Sequence, residues 1–436
     1  MGISLSSSTK LAVRAACPED AEAISGCYRA AYSPPGKEPP AKTYPFPQFM
    51  DPNWVREAVV RDTVCWIVAE AHGEVIGSIG AIRNIGSSDD RIAELFGLVI
   101  REPWRRKRIA TELFVNVIES LDDACFLIGE TRTATAGGWR IVKRQGFIPC
   151  GFEPFAHTTP VGSEPMLLLG HIAPGCSACR DVTGHTSVKV GKLAERVLAM
   201  CQLKPLLTTW EQSYPLASQP WPQLKAYLRP SHANIDPLKF PMETSCELRI
   251  TEDATEGRRL QIAWQDNKFH VSGVVCLNRL EGEDPKGERY SEKYFVAHVG
   301  SCPIAYSRVV WDRIDRRARI LCVHTLFHGL QGLMLNTIVN WLQATSTEQK
   351  LTIVVDVRAD YPALHYTLEE LGFFPTVYYP GLVSGEGGRV DVVQFTCLFG
   401  YDFADSLQWT GKVDWSEAKK VTGVVANLAS GAVSEL

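Results

Sequence analysis

Residues 94–113, ELFGLVIREPWRRKRIATEL, put a carboxylate, a glycine inside an apolar run and four consecutive bases directly ahead of a helical stripe. The apolar run reads as a strand over 91–100. The helix reads as starting near Arg105, with Ile109, Leu113 and Val117 at four-residue spacing and Phe114 and Ile118 widening the stripe. A helix start is phosphate chemistry's natural seat, because its first amides lack intrahelical partners and the helix dipole adds partial positive charge. Arg105, Arg106, Lys107 and Arg108 bring full charges to the same place, so an anion is expected there; a merely solvated basic face is the competing reading. Gly97, mid-strand, is where a bulge forms most easily, and amides freed from the ladder could grip an extended ligand.

What must position these residues is an α/β scaffold. At 436 residues the chain exceeds one ordinary core, so two domains with a connector are expected. With 45% hydrophobic and 22% charged residues it reads as a soluble globular protein. No apolar run approaches the roughly 20 residues of a membrane span. The start MGISLSSSTK lacks a secretory hydrophobic region, and thirteen cysteines then read as reduced thiols of a cytoplasmic protein. A net charge of −4 argues against general nucleic-acid binding. Cys176 and Cys179 have metal-like spacing without a second pair, so no metal is expected. Met1, Gly2 and Ser6 match a myristoylation pattern too short to count.

Along the chain, 11–17 reads as a strand, and a helix begins at Pro18 with Ala21, Ile24, Cys27 and Tyr28 on one stripe. Residues 33–50, rich in proline and aromatics, form an irregular loop that either lines a substrate pocket or packs on the surface. A helix follows over 51–61, then strands over 63–71 and 74–82 joined at His72-Gly73, a hairpin by its turn chemistry. A strand at 124–130, a helix at 137–145, a strand starting at Gly146-Phe147 and a strand at 166–171 complete the first half.

This succession resembles the GNAT superfamily of acyl-CoA N-acyltransferases. The family's pyrophosphate loop reads Arg/Gln-x-x-Gly-x-Gly/Ala, and here it is Arg105-Arg106-Lys107-Arg108-Ile109-Ala110, with Thr111 and Leu113 also fitting. The glycine position holds Arg108, expected in helical φ/ψ, where its guanidinium replaces what the glycine contributed. The resemblance spans 10–172 and implies acetyl-CoA as co-substrate, with Arg105, Arg106, Lys107, Arg108, Ile109, Ala110 and Thr111 at the pyrophosphate. It also implies that the backbone of Leu98, Val99 and Ile100 pairs with pantetheine amides. Glu94, six residues before Ile100, falls where histone-acetylating members carry their glutamate, and would be the base that takes the amine proton; an ordinary strand glutamate is the alternative. The tyrosine that often protonates the departing thiolate is replaced by Val142, and the frequent asparagine by Thr135. Tyr44 and His157 enter as donors only because their loops are expected near the pocket.

Residues 173–245 read as an ordered connector packing on both domains, with a helix around Leu193, Val197 and Cys201. The second half repeats the first faintly: a hairpin over 293–311, a strand at 319–323 running into 324–329, then 352–357, 363–371 and Gly372-Phe373. His328-Gly-Leu-Gln-Gly-Leu lacks the loop's arginine, Arg317 takes the place equivalent to Glu94, and 281–292 is too short for two lid helices. His365 and Tyr366 read as packing or surface residues. The expectation is a mixed-sheet α/β protein with two GNAT-like domains in tandem: 1–172 catalytic, 173–245 connector, 246–402 degenerate, 403–436 a tail. The implied activity is N-acyl transfer, most simply acetyl, from acyl-CoA to a primary amine of a small molecule or peptide. The rivals are a carrier-protein or aminoacyl-tRNA donor, and a silent acyl-CoA-binding scaffold. Acceptor and oligomeric state stay open, a homodimer included.

Overall fold

The structure, a computed structural model, describes residues 11–32, 47–133, 137–159, 162–216, 248–264, 272–279, 289–346 and 350–431. The first half runs β1 (Leu11–Ala15), α1 (Ala21–Tyr32), α2 (Pro52–Ala58), β2 (Val64–Ala71), β3 (Glu74–Arg83), β4 (Ile92–Ile100), α3 (Ile109–Glu119), β5 (Phe126–Arg132), α4 (Gly137–Arg144), β6 (Ile148–Thr159) and β7 (Gly162–Ile172). A link of α5 (Pro174–Ala178), β8 (His185–Thr186), α6 (Val188–Cys201) and β9 (Leu207–Thr208) leads on. The second half runs β10 (Leu248–Glu252), α7 (Ala254–Trp264), β11 (Tyr290–Val299), β12 (Cys302–Asp312), β13 (Arg317–Thr325), α8 (Leu330–Thr345), β14 (Leu351–Arg358), α9 (Pro362–Glu370), β15 (Phe374–Gly385) and β16 (Gly388–Phe399). Two helices close the chain, α10 (Phe403–Leu407) and α11 (Ser416–Ala429).

Fourteen strands form one mixed sheet in the order β1-β2-β3-β4-β5-β7-β6-β15-β16-β14-β13-β12-β11-β10, so the second half mirrors the first about the β6–β15 seam. Within this sheet each half has one described parallel pair, β4–β5 or β13–β14, bridged by a helix, and the sheet's other described pairs are antiparallel; β8 and β9 form a separate parallel pair. The seam's strand contact is the single pair Gly151–Val377. A Cβ on Gly151 would stand 2.3 Å from the Thr376 carbonyl oxygen, so the two sheets meet because this position has no side chain.

Alternate strand residues feed opposite faces. Ala93, Leu95, Leu127 and Leu169 join α3 and α4 on one face, while Phe96, Ile128 and Leu168 join α1, α2, α6, α8 and α9 in the large core on the other. The stretch expected as a tail is part of this core: Val421, Val425 and Leu428 of α11 pack into it, and Trp415 stacks on Trp139 of α4 with ring centroids 6.3 Å apart. The described part of the connector packs against both halves, as α6 touches β6 and β15. No described helix is long and apolar enough to cross a membrane.

Charged groups reinforce the seam. Arg317 pairs with Glu153, Gln394 Nε2 donates to Glu153 at 3.0 Å, and the Asn278 N–H reaches the Ile85 carbonyl. Burial of the sequence-distant ion pairs makes the halves one packed unit, since either half alone would leave uncompensated charges.

Candidate active site

The His72-Gly73 turn forms as its residues dictate, both with positive φ, and hands β2 to β3 as an antiparallel pair whose register shifts once, between Ala69 and Glu70. β3 then pairs with β4 until the register slips between Ser78 and Gly80, opposite Gly97. Gly97 has φ +66°, and a Cβ there would sit 2.3 Å from the Tyr28 hydroxyl, which donates to the Gly97 carbonyl. The expected bulge is therefore present and locked from α1. On the other side of β4 the parallel ladder joins Ile92, Ala93 and Glu94 to Phe126, Leu127 and Ile128 and ends there among the described residues. The strands diverge beyond Glu94. A cleft of about 290 Å³ opens between them, lined by Glu94, Phe96, Gly97 and Leu98 of β4, Glu130 and Arg132 of β5, Tyr32, Phe114, Val142, His157 and Met166.

Glu94 thus lies at the apex of the wedge and is 7% exposed. Leu98 lines the cleft, while Val99 and Ile100 continue β4 opposite Ser78 and Gly77. The basic turn follows at once. Arg105, Arg106, Lys107 and Arg108 are exposed, Ile109 is buried, and Ala110 and Thr111 are half-buried. Arg105 Nε donates to the Ile100 carbonyl at 3.1 Å, and the Lys107 ammonium lies 4.6 Å from the centroid of the Trp104 ring.

Two expectations about this turn are corrected. The helix begins at Ile109, not near Arg105, and Arg108 is its cap in left-handed rather than helical conformation, with φ +65°. Arg106 also has φ +65°. An arginine adopts this left-handed conformation at a cost of about 1–2 kcal/mol.

Sequence reasoning missed what the second half contributes. Residues 272–279 pair with β14: the Val275 N–H bonds to the Asp356 carbonyl and the Arg358 N–H to the Gly273 carbonyl, both at 2.8 Å. They carry Arg279 to the base of the first cleft. Its Nη1 lies 2.7 Å from Glu130 and 3.6 Å from Glu94, and Nη2 lies 3.2 Å from the Tyr379 hydroxyl. Burial works against the guanidinium, yet Tyr379, Glu94 and Glu130 hold its pKa well above the usual arginine value. An opposite charge so near favours the ionised form of a carboxylate. His157, expected on a loop, lies on β6 instead: its Nδ1 is 3.2 Å from Oδ2 of Asp315, in the β12–β13 turn, and it faces the same cleft as Glu94. No local pattern in the sequence pointed to Arg279 or Asp315.

Several positions behave as their residue types suggest. Val142 lines the cleft and offers no hydroxyl. His365 is fully buried, its Nε2 2.9 Å from the Arg358 carbonyl, and burial pushes its pKa down to about 4. The β13–β14 ladder begins at Arg317, paired with Thr352, and its last pair is Ile320 with Val355. Arg317 binds Glu153 across the seam. Tyr44 and Thr135 lie outside the described residues, as does most of the 33–50 loop and of 281–292. Among the described residues no cluster of His, Cys, Asp and Glu is placed to hold a metal.

Solved structures similar to this chain include the GNAT-family acetyltransferase from Streptococcus pneumoniae, 16% identical over 38% of this chain and 100% of that one, with a TM-score of 0.32. A ribosomal-protein-alanine N-acetyltransferase from Brucella melitensis is 20% identical over 37% and 99%, at 0.33. The PaiA N-acetyltransferase from Thermoplasma acidophilum, in complex with coenzyme A, is 14% identical over 38% and 99%, at 0.29. No curated protein matches the chain. The family model for the acetyltransferase (GNAT) family matches residues 27–147, the stretch from α1 to α4 that contains the wedge, Glu94 and the basic turn, and the chain therefore carries a GNAT acetyltransferase domain.

Proposed function

We propose that the protein is an N-acyltransferase moving an acyl group, acetyl in the simplest case, from acyl-CoA to a primary amine of a small molecule or peptide. The observation that carries this reading is the wedge between β4 and β5, with buried Glu94 at its apex and the basic turn at the end of the same strand. In it the backbone of Leu98, Val99 and Ile100 holds the pantetheine, and the turn and first helical residues Arg105, Arg106, Lys107, Arg108, Ile109, Ala110 and Thr111 hold the pyrophosphate. Glu94 accepts the amine proton, directly or through water, as nitrogen attacks the thioester.

Residues 246–402 are, in this proposal, a degenerate GNAT-like unit that does not bind donor. Supporting it are the mirrored strand order, Ile320 in the last pair of the β13–β14 ladder, and residues 273–275, which pair along β14 where the second wedge would otherwise open. The exposed four-base turn also favours a second reading, a bulkier carrier-type donor, whose binding would weaken steeply with salt.

Mass spectrometry of the whole protein with acetyl-CoA and a panel of amines tests the reaction. Glu94→Gln tests the mechanism: turnover is expected to fall about a hundred- to ten-thousand-fold, with donor affinity nearly unchanged and the acidic limb of the rate profile lost. Unaltered turnover at saturating substrate would make Glu94 an ordinary strand residue.

A further inference from the structure

We propose that His157, oriented by Asp315 from the second half, is the proton donor to the thiolate leaving in the acyl transfer. The proposal rests on the acyl-transfer reading and supplies the group that Val142 lacks.

The backbone is built to aim this side chain. β6 and β7 lose register between Glu153 and His157, and Phe155 within that bulge has φ +53°, a left-handed conformation that an aromatic residue adopts only under constraint. The bulge turns His157 onto the wall of the cleft that Glu94 and Leu98 also line. Asp315 holds the ring from behind. Its Oδ2 faces Nδ1 at 3.2 Å, its Oδ1 accepts the N–H of neighbouring Thr158 at 2.7 Å, and Arg289 Nη2 reaches its Oδ2 at 2.6 Å. Nδ1–H is thereby committed to Asp315. Nε2 has no protein partner among the described residues and is the nitrogen left to the cleft.

The surrounding charges favour the protonated ring. Burial opposes the imidazolium, as does Arg317 of β13, but the bond to Asp315, its charge and that of Glu130 on β5 prevail and raise the His157 pKa. Glu164, opposite on β7, is held by Arg132 at 2.8 Å. Arg279 approaches Glu94 at 3.6 Å and Asp315 approaches His157 at 3.2 Å, so the second half sets an opposite charge beside each of the two groups.

The step balances. The amine nitrogen forms its bond to the acyl carbon and gives a proton to Glu94; the carbon–sulfur bond breaks, and its electron pair leaves on sulfur and takes the Nε2 proton. Amide and coenzyme A depart, and the proton on Glu94 returns to His157 through solvent.

The test titrates coenzyme A bound to the whole protein, following thiolate absorbance, so no turnover is needed. An imidazolium beside sulfur lowers the bound thiol's pKa by about one unit or more relative to His157→Gln. Equal thiol pKa values in the two proteins overturn the proposal alone; failure of the parent to bind coenzyme A overturns the acyl-transfer reading with it. A shift that survives in His157→Gln and vanishes in Tyr32→Phe would assign the donor to Tyr32 and also overturn it. Asp315→Asn, which keeps the ring, gives an independent measurement should His157→Gln fail to fold. The basic limb of the turnover profile should move to lower pH, and an unmoved limb overturns the proposal.

Discussion

Replacing Arg279 by Met keeps most of the side-chain volume and removes a guanidinium whose side chain is 1% exposed. What remains is Glu130, which it bound at 2.7 Å, facing Glu94, which it approached at 3.6 Å, and a Tyr379 hydroxyl without its arginine contact. Removing one side of a buried ion pair costs about 3–5 kcal/mol, because the surviving charge stays in low dielectric. A chain of 436 residues unfolding with about 2.1 cal/mol/K per residue has an unfolding entropy near 0.9 kcal/mol/K, so Tm should fall by about 3–5 °C. Calorimetry at about pH 7.5 and about pH 5 reads this, and the loss should shrink at the lower pH as a carboxylate takes up a proton. In a double-mutant cycle, Glu130→Gln combined with Arg279→Met should recover at least about 1 kcal/mol relative to the sum of the single changes. A Tm within about one degree of the parent, or strict additivity with Glu130→Gln, would refute the claim that this arginine ties the second half to the first cleft.

Changing Arg105 or Arg108 to Ala should weaken donor binding by about 1.5–3 kcal/mol, seen as a raised donor KM; unchanged coenzyme A affinity in both would leave only a solvated basic face. Arg108→Gly should behave differently, losing donor affinity while stabilising the fold by about 1 kcal/mol through relief of the left-handed arginine, which chemical denaturation can check. His365 is depressed from 6.5 to about 4 in the folded state, so its contribution is intact above pH 6.5 and is lost as pH falls toward 4, about 3 kcal/mol in all. That acid-side slope should be absent from denaturation curves of His365→Leu. The segment 1–172 alone should fail to give a cooperative thermal transition, since Glu130, Glu153 and His157 would lose Arg279, Arg317 and Asp315. A sharp transition in that fragment would show that the seam is dispensable.

Much of the scaffold is local and was legible. The His72-Gly73 hairpin, the bulge at Gly97, the stripe of α3 and the apolar helix around Leu193 and Val197 depend on contacts within a few residues, where turn geometry and periodicity suffice. The order of elements in the first half follows from the same signals, as does the carboxylate at 94 ahead of the basic turn. The helix start was misread at the same turn, because four bases resemble a first helical turn until the left-handed backbone at Arg106 and Arg108 is seen. Only the tertiary structure decided who surrounds Glu94 and His157. Arg279 and Asp315 meet them across separations of 185 and 158 residues, from segments with no periodic or turn signature of their own. The joining of two half-sheets at Gly151 is equally invisible locally, as is the return of α11 to cover the seam. Such contacts are selected by which buried charges and apolar faces remain uncompensated once all strands are placed, a condition on the whole fold that no window of sequence contains.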